Sequence, residues 1–326
     1  MKKYFLLLLS IILLSGCGSK NNDIIKKIAK KYENVKSYHL QGNLSLNRGD
    51  DTYTYNIDSS YQDGDYYRVS LTNTVNNHEQ IILRNKTGIY VLNPSLNKSY
   101  KFESDWPYNN SGIYLPQIII KDIKNDDNYK VTKTKKGYIV KSKVNYVNNS
   151  SLEYQNVYFD KDLNLIKVEV CNNKDEVIMK MDFNNYESGT KFDTSYFSLK
   201  GNNENGELEK TTSKIDDVIY PMYLPVNTYL TNQEKIKTSD GERVILNFDG
   251  DSSFMLVEET ISIPNELETN MVYGEPDIIL DTVGSVTDYS VSWISNGMEY
   301  YILSNDMDVE QMMSVASSIN VLAVGK

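Results

Sequence analysis

From Ser37 to about Lys200 the chain alternates apolar and polar residues with a period of two, and this pattern constrains the fold more than any other feature. "DTYTYNI" puts Tyr53, Tyr55 and Ile57 on one side of an extended segment. "YYRVSL", "EQIILRN", "GIYVLN", "SYKFES", "YKVTKT", "GYIVKSKV", "LEYQNVYFD" and "LNLIKVEV" repeat the pattern, each bounded by Asn, Asp or Gly. "NKTG", "TKKG" and "DKDLN" read as the turns between them. Short strands in direct succession predict an antiparallel sheet with one buried face, and that face needs a cover. Two segments can supply it. Asp23 to Asn34 carries Ile24, Ile25, Ile28, Ala29 and Tyr32 at helical spacing, with lysines opposite. "IYLPQIIIKDIKND" supplies a second, shorter helix.

The alternation stops at "KGNNENGELEKTTSK", which is polar and rich in Gly and Asn. The reading is a first domain over 23–200, a linker over 201–214 and a smaller α+β domain over 215–326. In the second domain "ERVILNFDG", "SFMLVEETISI", "DYSVSWISN" and "MEYYILS" read as strands. Asp308 to Ile319 reads as a closing helix whose Asp308 and Gln311 match a capping box.

Ahead of both domains stands "MKKYFLLLLSIILLSGCGSK". Two lysines, a short apolar run and small residues before Cys17 have the layout of a secretory signal, and the run is shorter than the ~20 residues of a membrane span. Residues 1–16 therefore read as a signal peptide and 17–22 as a tether. "LSGC" resembles a bacterial lipobox, in which the cysteine is acylated, with palmitate for example. Several acyl chains on one residue give lasting attachment, so the resemblance predicts a chain anchored through Cys17 to the outer face of the cell membrane. Removing residues 1–16 takes Lys2 and Lys3 from a formal charge of −10 and leaves −12. That balance argues against nucleic acid and leaves the attachment to lipid. With Cys17 acylated, Cys171 has no disulfide partner.

A lipobox, a helix and a run of antiparallel hairpins together resemble the LolA-like superfamily, which includes lipoprotein carriers and RseB-type sensors. "YVLNPSLNKSYKFESDWPYNNSGIYL" is similar to the sporulation and germination lipoproteins of spore-forming Firmicutes, the GerS-related and YdcC-like group. "YPMYLPVNTYL", "DGERVILNFDGDSSFMLVEE" and "VYGEPDIILDTVGSVTDYSVSWISNGMEYYILS" resemble the C-terminal part of its longer members. The resemblance implies an antiparallel half-barrel covered by helices, then a smaller α+β domain, and no catalytic set.

The residues agree with the last point. His39 and His78 lack the spacing of a zinc site, and neither a G-x-S-x-G elbow nor a phosphate loop occurs. The expectation is a non-enzyme without metal or cofactor. Two functions fit. One is docking of an envelope protein, such as a cell-wall hydrolase, in sporulation or germination. The other is carriage or sensing of a lipid, lipoprotein or other hydrophobic ligand in the half-barrel. "SDWPYNNSGIYLP" is expected to close one end of the sheet with Trp106 turned inward, as a core plug or as a pocket lip. Trp106, Tyr108 and Tyr114 are the candidate contacts to a ligand or partner.

Overall fold

A computed structural model describes residues 17–319 except 50, 194, 204–207, 209 and 210. The signal peptide, the Cys17 side chain and part of the linker lie outside the described residues. The helix α1 spans Cys17–Glu33. Then follow β1 (Ser37–Arg48), β2 (Asp51–Gln62), β3 (Tyr66–Asn73), β4 (Glu79–Asn85), β5 (Gly88–Asn93) and β6 (Lys98–Phe102). The second helix, α2, is Pro116–Asn125, and β7 (Lys130–Lys133), β8 (Gly137–Lys143), β9 (Leu152–Asp160), β10 (Leu165–Asn172) and β11 (Val177–Ser188) complete the alternating region. After a short α3 (Leu199–Asn203) come β12 (Thr228–Lys237), β13 (Glu242–Gly250), β14 (Phe254–Thr260), β15 (Glu268–Val272), β16 (Glu275–Ile279), β17 (Thr282–Val286), β18 (Ser290–Ser295), β19 (Met298–Leu303) and α4 (Val309–Ser317).

The alternation becomes one sheet in the order β15-β6-β5-β4-β3-β2-β1-β11-β10-β9-β8-β7. Its edges do not pair with each other, so it is open. Phe102 near one edge and Val140 near the other belong to a single core cluster. Gly42 sits at a β-bulge against β11. A side chain there would meet the Asp182 carbonyl oxygen at 2.3 Å, so only glycine lets the central pair approach. The concave face is covered as expected. Ile25, Ile28 and Tyr32 of α1 and Ile118, Ile119 and Ile123 of α2 are buried in the same core as Leu40, Leu44 and Val69 of the sheet. Burying side chains of this kind contributes about 1.5–3 kcal/mol each.

The seven-stranded second sheet runs β12-β13-β14-β19-β18-β17-β16. α4 packs on β18 and β16, and Asp308 and Gln311 close the capping box. Trp293 stacks on Tyr300 at 5.2 Å, and Phe248 on Phe254 at 4.3 Å.

Two features depart from the sequence reading. α1 starts at Cys17 and runs through the stretch read as a tether, and Asn22 within it accepts from the Tyr129 hydroxyl. The second departure is that the two sheets do not divide the chain at the linker. β15 leaves the second domain and pairs in parallel with β6, aligning Glu268 with Lys98 and Val272 with Phe102.

Candidate docking surfaces and the closed concave face

At one end of the concave face the chain leaves β6 and crosses the sheet. Trp106 is 4% exposed and meets Tyr67 edge-on at 6.0 Å. Its carbonyl accepts from Arg84 at 2.5 Å, and its N–H donates to Ser104 Oγ at 2.8 Å. The loop is tied to residues 144–151 by Ser111, whose N–H donates to the Asn145 carbonyl and whose hydroxyl accepts from the Asn145 N–H. Ile113 and Leu115 are buried and lead into α2 at Pro116. The aromatic packing continues from Tyr67 through Tyr61 to Tyr38, at 5.0 and 5.7 Å. Burial pushes the Tyr38 and Tyr67 phenols far up, as expected for hydroxyls withdrawn from water.

Of the three candidate contacts here, Trp106 and Tyr114 are buried and border a void of about 30 Å³, the room of roughly one water. Tyr108 is the exposed one. Its ring lies under the Arg84 guanidinium at 5.0 Å, and its hydroxyl donates to Asp65 at 2.6 Å. Burial and the Asp65 carboxylate push it up to about 12.

The other end is closed by the second domain. The β16–β17 hairpin enters the concave face, where Ile278 and Val283 join the first domain's core. Tyr55 donates to the Leu280 carbonyl at 2.6 Å. Gln80 donates to the Val283 carbonyl at 3.1 Å and accepts from the Val283 N–H at 2.5 Å and from Thr282 at 2.9 Å. Buried polar groups are stable only when paired in this way. The hairpin start also reaches the other end: Ser104 donates to Glu275, and Pro276 and Asp277 border the void beside Trp106. The concave face is therefore filled along most of its length by α1, α2, the Trp106 loop and the hairpin, with one cleft of about 280 Å³ left beside the hairpin.

The sheet edges differ sharply. β7 is four residues long and carries Lys130 and Lys133, followed by Lys135 and Lys136; short lysine-bearing edges resist pairing. β6 is covered by β15. β12 is ten residues long and exposed over most of its length. It presents Tyr229 and Leu230 to solvent, and Met222 and Val226 in the segment before it are exposed as well.

Titratable groups outside these surfaces serve the fold. His39 Nε2 lies 2.8 Å from Asp58, which Arg68 approaches at 3.4 Å, and Arg68 donates to Asn202 of α3 at 2.6 Å. Glu258 is buried and accepts from the Ile219 N–H at 2.8 Å; desolvation pushes its carboxyl up to about 7. Cys171 is buried, and desolvation raises its thiol, the opposite of an activated cysteine. Among the described residues no group of three or more His, Cys, Asp or Glu is placed to hold a metal ion. No described helix is long and apolar enough to cross a membrane.

Comparison with known proteins places this geometry. Over 318 residues the chain is 34% identical to the sporulation protein YdcC of Bacillus subtilis (strain 168), covering 96% of this chain and 94% of that one. The chain belongs to the YdcC family of sporulation proteins. No family model matches it. Among solved structures, the Pseudomonas aeruginosa MucA/MucB complex aligns over 87% of this chain and 93% of that one, at 13% identity and a TM-score of 0.29. The CwlD amidase of Clostridioides difficile in complex with the GerS lipoprotein aligns over 53% and 94%, at 15% and 0.28. A LolA superfamily protein from Nitrosomonas europaea aligns over 54% and 96%, at 11% and 0.29. At these scores the structural likenesses carry no further argument. Within the YdcC family member described here, the residues that sequence reasoning missed are Gln80, Arg48 and Asp277. Gln80 and Arg48 reach partners more than 200 residues away and Asp277 reaches Asn148, 129 residues away, so no local pattern marks them.

Proposed function

We propose that this protein is a non-enzymatic docking lipoprotein of sporulating cells, anchored through Cys17 to the outer face of the cell membrane, where it holds an envelope protein such as a cell-wall hydrolase. Membership of a sporulation family supports the setting. The observation that carries the docking role is the filled concave face. Hairpin 275–286, the two helices and the Trp106 loop occupy most of that face, the cleft of about 280 Å³ that remains is too small for a diacyl lipid, and forcing bulk into the packed part is costly. The surface best suited to a partner is β12. Its outer backbone groups are unpaired, and Tyr229 and Leu230 flank them, the arrangement used in strand addition.

Two experiments test this reading. Cys17→Ala is expected either to leave the precursor uncleaved or to release the chain into soluble fractions. Undiminished membrane attachment of a processed Cys17→Ala chain would remove the anchor. Tyr229→Lys with Leu230→Lys is expected to abolish co-purification of the envelope partner from sporulating cells while leaving the urea midpoint unchanged. Unimpaired co-purification would remove β12 as the docking edge.

A further inference from the structure

Beside the hairpin, between the two domains, lies a cleft of about 280 Å³ whose chemistry the docking role does not use. Arg48, at the end of β1, donates to the Ile278 carbonyl at 2.9 Å and to Ser317 of α4. These bonds use two of the five N–H groups of a guanidinium. Asp277 accepts from Asn148 Nδ2 at 3.0 Å and from the Ile278 N–H at 2.7 Å. Each charge is tied by its own neutral partners, and the two form no direct ion pair although each acts on the other's titration.

Opposite charges withdrawn from water and held apart are costly. Burial pushes the Asp277 carboxyl up and the Arg48 guanidinium down. Both line the same cleft, which therefore presents a cation and a carboxylate. The remaining walls include Leu46, Met179 and Met313. Glu310, which accepts from Ser150 at 2.9 Å, stands exposed at the mouth. An isolated anion would meet Asp277 there, and an isolated cation would meet Arg48. A ligand carrying both charges and an apolar group satisfies every wall. At about 30 Å³ per water, the volume equals roughly nine waters. That leaves room for a small amino acid and far too little for a diacyl lipid.

We propose that this cleft binds a free zwitterionic amino acid with an apolar side chain. The carboxylate takes the unused N–H groups of Arg48, the ammonium lies on Asp277 with Glu310 at the rim, and the side chain packs on Met179 and Met313. The site is independent of the docking role and of the lipid anchor.

Calorimetric titration of the mature chain with leucine, isoleucine, methionine and phenylalanine tests it. Leucinol, which lacks the carboxylate, and 4-methylpentanoate, which lacks the ammonium, serve as controls. Saturable binding of at least one amino acid is expected, with both leucine analogues at least about tenfold weaker than leucine, equivalent to ~1.4 kcal/mol each. Asp277→Asn keeps the shape and, through its one carbonyl oxygen, one of the two contacts that Asp277 accepts. It should cost leucine about tenfold and leave 4-methylpentanoate within about twofold. Ser314→Trp, at the exposed mouth, should abolish leucine binding without moving the ligand-free melting temperature. Absence of saturable binding across the four amino acids would overturn the proposal. So would equal affinity for leucine and its two analogues, or wild-type leucine affinity in both variants.

Discussion

The two ends of the concave face are closed by different physics. At one end the local segment 103–115 folds back on the sheet it has just left, and aromatic packing of Trp106, Tyr67, Tyr61 and Tyr38 seals it. At the other end a hairpin from the far end of the chain is held by directed hydrogen bonds from Gln80, Tyr55 and Arg48, with a buried carboxylate beside them. The first closure is non-directional and scales with the apolar area buried. The second depends on each polar group finding its partner, and it couples the second domain to the first.

The difference can be broken one end at a time. Trp106→Ala should have the largest effect, a loss of about 3–5 kcal/mol in the first domain, read as a lower urea midpoint. An unchanged midpoint would mean that Trp106 is not the plug of that end. At the other end, Gln80→Leu keeps the volume but strands the Val283 N–H and C=O. It should cost about 2–3 kcal/mol. Hydrogen exchange in residues 275–286 should accelerate while exchange in β1 and β11 is unchanged. Uniform loss of protection would contradict a closure that depends on this hairpin.

The third effect is smaller and probes the hairpin by pH. Desolvation raises the Asp277 carboxyl above its ordinary 3.8, so the folded chain holds this proton more tightly than the unfolded chain does. Its contribution to stability is therefore fully present at low pH. It is lost as pH rises from about the ordinary value through the raised one. Asp277→Asn should flatten this decline and leave the variant more stable than wild type relative to acid conditions. Urea midpoints across pH 4 to 8, for wild type and variant, check the sign. The opposite slope would mean that the carboxylate is stabilised, not strained, by its site.

How much of this was readable in advance follows the same division. The period-two strands, the Trp106 loop and α2 are local: Trp-Pro after a strand and an apolar run after Leu115 mark them in sequence. The capping box of α4 is local too. β17 is buried on both faces and β16 is short and only partly exposed on one, so "GEPDIILDTVGSV" lacks the alternation that marks a half-exposed strand. β12 fails for the converse reason, being exposed on both faces. β15 is a five-residue edge addition whose only strand partner, β6, lies some 170 residues earlier. The lipobox reading of Cys17 is wholly local and rests on residues 1–17. The charged cleft had no local signature, since Arg48, Asn148, Asp277 and Ser317 come from four separated stretches.

The central claim is that the half-barrel is filled by its own chain and therefore serves as a platform. Native mass spectrometry of the mature domains, purified from bacteria without the signal peptide and with Cys17→Ser to remove the anchor, tests this most directly. The account predicts a single species at the mass of the polypeptide, with no retained lipid. A stoichiometric adduct at the mass of a phospholipid or fatty acid, surviving gentle activation, would show that the concave face opens to a hydrophobic ligand and would contradict it.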